Sequence, residues 1–183
     1  SIDVVEFYDS QQGYEKGLTL PSVPPSGQHS KGVDSVWGMG CHHNVVQKQV
    51  STRDYNYRQA TQDMNTRVDA TGGDVTTYGD AYHWADNYLT PGSAYDRNPA
   101  AESGAFYARI RHERYLNGQT QTRAITSSPA LSPGMLLKVT GGYEVAEVFT
   151  QGVVVTAMHS HARRDADFCV RFDGIPDSAD FCF

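Results

Sequence analysis

The chain has 183 residues, with 15 lysine and arginine side chains against 21 aspartate and glutamate, so its formal charge is −6 at pH 7 with neutral histidines. This balance argues against a general binder of nucleic acid or anionic membranes, since both need clustered positive charge. The length predicts one domain, and 39% hydrophobic residues indicate a packed core rather than disorder. No apolar run approaches the roughly 20 residues that span a bilayer, so we expect no stable membrane insertion.

The first ten residues, SIDVVEFYDS, lack the basic and apolar regions of a signal peptide, and there is no initiator methionine. We therefore expect a piece of a longer protein. Three cysteines, Cys41, Cys169 and Cys182, are too few for a disulfide scaffold. They are interpreted as reduced thiols, with a Cys169–Cys182 bridge left open.

In chain order, the prolines and glycines of residues 1–32 predict a loop-rich lead-in segment. Alternating β-branched, aromatic and polar residues then predict two strands within residues 33–58. Gly72-Gly73 is a turn signal, residues 74–84 are typical of a short strand, and residues 86–99 are typical of a loop.

The following segment predicts the longest helix, near 99–116. Asn98 can cap it, Pro99 suits the first helical position, Glu102 lies near the positive end of the helix dipole, and Asn117-Gly118 supplies a stop.

The same helix carries a predicted core stripe and a charged face. Phe106 and Ile110, with Ala101 and Ala105, recur at the spacing of a buried stripe. The remaining charged residues are expected on a solvated face: Arg109, Arg111, Glu113 and Arg114.

After the helix almost every segment predicts a strand, and the gaps suit hairpins or a meander. The predicted strands are 119–127, 135–141, 143–150, 152–164 and 167–176. Since closure removes exposed edges, we expect an antiparallel sheet that closes into a barrel. The predicted fold class is α+β, mainly β, with one main helix.

Histidines supply the strongest hint of enzyme chemistry. His159 and His161, two residues apart on a strand, point to one face and can share a metal, and His42-His43 is a second pair. No third ligand has a definite spacing. The candidates are Asp165, Asp167 and Cys41. We predict surface histidines that hold no metal.

Other catalytic signatures are missing, including GxSxG and the glycine-rich phosphate loops. Four acidic residues lie in aromatic-rich segments that would suit a sugar cleft, although turn or capping roles are expected: Asp54, Asp80, Asp86 and Asp96. The aromatic residues of this region would suit a carbohydrate platform, although core and interface packing is expected: Tyr78, Tyr82, Trp84, Tyr88 and Tyr95.

Several motifs occur in a definite order between residues 33 and 178. They are SVWGM, STRDYNYRQ, AAESGAFYARIRHERY, GQTQTRAI, LSPGMLLKVTGG, GVVVTAMHSHARRD and FDGIPDS. This series resembles the hub-like part of the type VI secretion spike family VgrG, related to Rhs-element Vgr proteins and phage late control D. The chain departs from that pattern at Gly118-Gln119-Thr120, where the family has a G-S turn, and at Phe181-Cys182-Phe183, where it often has Arg-Pro.

The resemblance implies a phage tail-hub-like barrel with a structural, non-catalytic role. It implies a homotrimer in the full-length protein, an Hcp-like tube hexamer and other spike or tip components as partners, and secretion through the type VI system. It further implies a hub-like domain over 33–178 and a tail at 179–183 leading to an absent needle domain. We expect no catalytic, cofactor-binding or metal-binding residues.

The resemblance also gives individual residues scaffold roles. Trp37, Tyr55 and Tyr57 would pack the barrel. Gly118 and Gly134 would permit tight starts of strands, and Pro176 would end the last strand. A metal-dependent β-barrel enzyme using His159 and His161, or a carbohydrate-binding module, stays open as an alternative.

Overall fold

The computed structural model describes residues 15–24, 32–84, 86–141 and 145–177, with the backbone alone at Glu15 and Lys16. The described chain forms two compact units. The half-barrel unit comprises the described parts of 1–43 and 120–182, and the insert unit comprises 44–119. The sequence boundary expected at residue 33 falls inside the half-barrel unit.

The half-barrel unit contains six strands and one short helix. Its elements are β1 Glu15–Pro21, β2 Val36–His43, β6 Thr120–Thr126, β7 Met135–Thr140, α2 Glu147–Gln151, β8 Val153–Arg163 and β9 Ala166–Pro176. The sheet order is β1-β7-β8-β9-β6-β2. Every pairing is antiparallel except that of β1 with β7.

The sheet curls into a half-barrel, which confirms the predicted α+β, mainly β fold class. A bridge between Ser22 and Val36 joins the two edge strands at one end. Burial alternates along the strands, because successive side chains point to opposite faces. The inner face holds the core, built from Leu137, Phe149, Val155, Val170, Phe172 and their neighbours, with these five at 0–1% exposure.

Two local predictions in this unit were wrong. Residues 15–21 form β1, although the sequence predicted a loop. Gly17 and Pro21 interrupted the alternation of apolar and polar residues that predicts a strand. Both residues are tolerated here because β1 lies at an edge of the sheet. The second half of the predicted strand 143–150 is instead helical: α2, Glu147–Gln151, begins inside this segment and ends one residue beyond it. One buried side chain, Phe149, fixes this helical turn against the core, so tertiary contacts override the β-branched composition.

The insert unit contains a three-stranded sheet and the long helix. Its elements are β3 Gln49–Arg53, a 3-10 turn at Tyr57–Gln59, β4 Asn65–Val68, β5 Asp80–Trp84 and α1 Gly104–Asn117. The sheet order is β4-β3-β5, antiparallel on one side and parallel on the other. The sequence did not predict β4, since its four residues NTRV are mostly polar.

Helix α1 is the longest helix in the described chain, and it ends at Asn117 with Gly118 as C-cap, as predicted. The predicted start near Pro99 was wrong. Ser103 is the N-cap, and its hydroxyl oxygen accepts a hydrogen bond from the Phe106 N–H at 3.2 Å. Ser103 also forms a bridge with Thr90, which holds the preceding residues outside the helix.

The predicted core stripe of α1 was also wrong. Ile110 is 39% exposed, Phe106 is half-buried and Ala101 is exposed, whereas Ala105 is buried as expected. The buried face consists of Gly104, Ala105, Ala108, His112 and Leu116. Small residues face the sheet because the helix lies close to its neighbours: a Cβ at Gly104 would lie 2.8 Å from the Tyr88 ring.

Candidate functional site

The outer face of the half-barrel sheet carries the histidine pair predicted on β8. In the β8–β9 register, His159 lies opposite Arg171 and His161 lies opposite Cys169. Both imidazoles are exposed, so the prediction that they share one face and lie at the surface is confirmed. Together with Ile125, these four residues line a cavity of about 250 Å³.

No group of three or more histidine, cysteine, aspartate or glutamate side chains is placed to hold a metal ion among the residues that the structure describes. The candidate third ligands do not converge on His159 and His161. Asp165 forms an ion pair with Arg163 at 2.8 Å, and Cys41 lies on β2 beside His43. A cationic Arg171 opposite His159 also disfavours a bound cation there.

The second histidine pair lies on β2, and its members differ. Nδ1 of His43 lies 3.1 Å from the Thr120 hydroxyl and Nε2 lies 3.5 Å from the Cys41 sulfur. His42, on the opposite face, borders a larger depression of about 580 Å³ that extends over Gly40. Desolvation raises the pKa of the Cys41 thiol, which makes it a weak nucleophile.

Cys41 and Cys169 are free thiols, as the sequence predicted. Cys182 lies outside the described residues, so the Cys169–Cys182 bridge that the sequence left open is not tested. No helix in the described ranges is long and apolar enough to cross a bilayer.

In the insert unit, the four acidic candidates are separated among local roles. Asp54 accepts backbone hydrogen bonds from Tyr55 at 2.7 Å and Tyr88 at 3.1 Å. Asp80 pairs with Arg67 at 3.3 Å. Asp96 accepts the backbone N–H of Asn98 at 3.0 Å. The roles of Asp54 and Asp96 are the turn or capping roles that the sequence favoured over a sugar cleft, whereas the ion pair of Asp80 was not predicted.

The fourth candidate, Asp86, forms a nearly buried ion pair that the sequence did not reveal. Its side chain is 6% exposed, pairs with Arg111 and accepts a hydrogen bond from Thr52 at 3.0 Å. The predicted solvated face of α1 is only partly exposed: the side chain of Arg111 is 38% exposed, and those of Arg109 and Glu113 are 29% and 24% exposed. Arg109 and Glu113 form an i, i+4 ion pair at 2.9 Å, and Arg114 is exposed.

His112 is a structural residue that sequence reasoning missed. It is fully buried: its Nδ1 accepts the Ala70 N–H at 2.9 Å and its Nε2 lies 2.9 Å from the Gln47 carbonyl. These contacts require a neutral imidazole with the proton on Nε2. The sequence could have predicted the burial of His112, since it lies four residues from both Ala108 and Leu116 and therefore on the same helix face.

The aromatic candidates are mostly exposed, in contrast to the packing role that the sequence favoured. Tyr78, Tyr82, Trp84 and Tyr95 are 57–98% exposed, whereas Tyr88 is 3% exposed. The Arg53 guanidinium lies 5.9 Å from the Trp84 ring centroid and covers one face of that ring. Burial raises the pKa of Tyr88, and its hydroxyl donates to the Met64 carbonyl.

The scaffold roles expected from the resemblance are only partly met. Tyr55 and Tyr57 do not pack the barrel: they lie in the insert unit and are 62% and 74% exposed. Trp37 is half-buried on β2. Gly134 has a φ of +82° immediately before β7, as a tight start requires, whereas Gly118 has a φ of −79° and instead caps α1. Pro176 ends β9 as predicted.

The curled six-stranded sheet with a small inserted unit is the fold of a phage tail-hub-like protein. The chain belongs to the phage tail baseplate hub (GPD) family, whose model matches residues 3–166. This family is structural and non-enzymatic. No curated protein sequence matches the chain.

Solved structures agree with this assignment. The chain is similar to the E. coli c3393 protein, described as a component of the type VI secretion system with structural similarity to bacteriophage T4 tail proteins gp27 and gp5. The identity is 29% and the TM-score 0.57, over 98% of this chain and 31% of c3393. The chain thus spans about a third of that relative.

Two further structures share the fold at low identity. A tail protein from Neisseria meningitidis MC58 has 8% identity and a TM-score of 0.57, over 89% of this chain and 45% of its own. The prophage MuSo2 43 kDa tail protein from Shewanella oneidensis has 10% identity and a TM-score of 0.57, over 94% and 46%.

Proposed function

We propose that the chain is part of the hub of a type VI secretion spike of the VgrG type, with a non-catalytic role in assembly and protein translocation. The observation that carries the proposal is the 29% identity to c3393 across 98% of the chain, because that protein is described as a type VI secretion component. The ordered sequence motifs support the same choice over a phage tail.

The geometry suits a ring component. The half-barrel has two edge strands, β1 and β2, linked by the Ser22–Val36 bridge at one end. In this proposal three copies of the full-length protein associate, and each contributes two barrels. Six similar barrels then face the six subunits of an Hcp-like tube, so that the mismatch between threefold and sixfold symmetry disappears.

The proposal places the protein in the bacterial cytoplasm before firing and outside the cell or in a target cell afterwards. Its expected neighbours are copies of itself, the end of the tube, and other spike or tip components. Residues 179–183 would lead to the needle domain.

Deletion of the full-length gene in its own bacterium tests this function. Export of the Hcp-like tube protein, measured by immunoblot of the culture medium, should be lost and should return with the wild-type gene. A Phe172→Asp variant should fail to restore export, since it places a charge in the core. The matched control, Tyr95→Ala at a 98% exposed side chain, should restore it.

Purified full-length protein should contain three copies by light scattering and should co-purify with the tube protein. Unchanged tube export after the deletion, together with recovery of the protein in sedimented phage-tail particles, would refute the type VI proposal and favour a phage tail hub.

A further inference from the structure

The outer face of the half-barrel contains an unusual row of side chains across four strands. The strand registers place Trp37 opposite Ile125, Ile125 opposite Arg171, and Arg171 opposite His159. Trp37 and Ile125 are half-buried, whereas Arg171 and His159 are exposed. Tryptophan and arginine are the residue types most enriched at energetic hot spots of protein interfaces.

The charge of this row differs from that of the whole chain. Arg171 has no carboxylate partner among the described residues, and His159 and His161 lie beside it in the 250 Å³ cavity. On the same face, Asp173 is already paired with Arg123 at 2.6 Å. The exposed acid Asp167 lies nearer the turn, two residues before Cys169. The cavity is therefore locally cationic on a chain of net charge −6.

The guanidinium group of Arg171 is suited to a carboxylate, because a guanidinium binds a carboxylate through two parallel hydrogen bonds. The neighbouring Ile125 and Trp37 need an apolar partner, which inorganic phosphate or a nucleic acid backbone does not provide. The 580 Å³ depression over Gly40 continues the face past Arg123 and Asp173, and there a Cβ at Gly40 would meet open space. The combined surface fits an extended chain.

We propose that the outer face of β2, β6, β9 and β8 binds an acidic, extended segment of a partner protein. A carboxylate of that segment pairs with Arg171, and an apolar side chain next to it packs on Ile125 and Trp37. This inference goes beyond the type VI assignment and holds for any assembly in which the chain acts.

The test uses an acetylated ten-residue peptide with serine at the odd positions and glutamate and leucine in turn at the even positions, so that both side-chain types lie on one face of the extended peptide. The sequence contains two tryptophans, so Trp84→Phe leaves Trp37 as the reporter of binding at this face. The peptide should produce a saturable change in Trp37 fluorescence. Arg171→Glu should weaken binding at least tenfold, and Arg171→Gln should weaken it less.

Arg97→Glu is the matched control, because it makes the same charge change at an exposed loop position of the insert unit. It should alter the affinity less than twofold. Circular dichroism and the thermal midpoint of both Arg171 variants should match the parent protein. A second readout uses Cys169: bound peptide should slow its alkylation by iodoacetamide at least threefold in the parent and not in Arg171→Glu.

Several results would overturn the inference. These are the absence of saturable binding, equal weakening by Arg97→Glu and Arg171→Glu, or equal binding of a peptide with lysine in place of glutamate. Competition by inorganic phosphate or a ten-nucleotide DNA strand with the same dependence on Arg171 would mark a phosphate site instead. Self-association that blocks the peptide would assign the face to a second copy of the chain.

Discussion

The two units of the molecule bury different kinds of side chain. The half-barrel core contains large aliphatic and aromatic residues contributed by strands far apart in sequence, including Leu137, Phe149 and Phe172. The main apolar cluster of the insert unit consists of the small residues Val50, Val68, Ala105 and Ala108, and larger buried side chains such as Met64 and Tyr88 lie outside it. The buried His112 and the Asp86–Arg111 ion pair lie in the same unit. Polar contacts therefore make up a larger share of the buried interactions in the insert unit.

This difference has a consequence for stability. Apolar burial contributes about 25 cal/mol per Å² without strict geometry, so the half-barrel depends on volume and tolerates changes at its surface. Polar contacts inside the insert unit depend on geometry, because a buried donor or acceptor that loses its partner costs about 1–3 kcal/mol. The insert unit should therefore respond more sharply to single polar substitutions.

The largest expected effect tests the half-barrel core. Phe172→Ala should lower the free energy of unfolding by about 3–5 kcal/mol, since the ring is fully buried. Urea unfolding should be followed by Trp37 in a Trp84→Phe background, and by Trp84 in a Trp37→Phe background. The control Phe106→Ala, at a half-buried ring on α1, should cost less than half as much.

The two tryptophans report on different units, which turns this prediction into a test of the comparison. A loss seen mainly by Trp37 means that the units unfold separately. Equal shifts of the Trp37 and Trp84 signals would mean that the two units unfold together. The difference between their cores would then not appear as a difference in the free energy of unfolding.

The next effect concerns the buried imidazole of the insert unit. His112→Ala should cost roughly 2–4 kcal/mol, because it leaves the Ala70 N–H and the Gln47 carbonyl without partners and opens a cavity. Unfolding followed by Trp84 measures it. His159→Ala, at an exposed position, should change stability by less than about 0.5 kcal/mol. Similar losses in the two variants would contradict the polar-core description.

A smaller effect separates the two proposed starts of α1. Ser103→Ala removes the capping hydroxyl and should cost about 0.5–2 kcal/mol. Asn98→Ala, at the cap position that the sequence favoured, should cost less than about 0.5 kcal/mol. Thermal unfolding followed by circular dichroism at 222 nm compares the two, and the reverse order would restore the longer helix.

The smallest effect is pH-dependent. The Gln119 amide, 2.6 Å from Asp74, and Thr76 lower the pKa of Asp74 below its ordinary value of 3.8. Because the folded-state pKa is depressed, this stabilisation is present above that value and is lost as the pH falls through the folded pKa. Gln119→Ala should therefore flatten the decline in stability on acidification.

Unfolding followed by Trp84 between pH 5 and about pH 2.5 measures that slope. Gln121→Ala, at an exposed position on β6, serves as the control and should leave the slope unchanged. An equally steep decline in Gln119→Ala would show that Asp74 does not contribute.

The contrast between the units also explains which parts of the fold were predictable. The strands β6, β7, β8 and β9 follow from β-branched runs, because those side chains pack against the core in the buried part of each strand. The interior of α1 was misassigned because its buried face uses Gly104, Ala105 and Ala108, which carry little hydrophobic signal, whereas the larger Ile110 faces solvent.

The candidate surface was predictable only in part. The spacing of His159 and His161 correctly gave their common face. Trp37 and Arg171 reach that face through the pairings of β2 with β6 and of β6 with β9, whose partner residues lie far apart in the sequence, and no local pattern encodes such a register. The Asp86–Arg111 pair was hidden for the same reason, since 25 residues separate its members.

The distal half of the β8–β9 hairpin extends beyond the core. From His159 to Asp167 every residue is exposed, and a two-residue turn, Arg164-Asp165, closes the hairpin next to the Arg163–Asp165 ion pair. Loop tips of this kind accept inserted sequence, since no buried backbone group depends on them. The turn is thus a natural position for an epitope or fluorescent tag, through which the protein could be located in the intact assembly by light or electron microscopy.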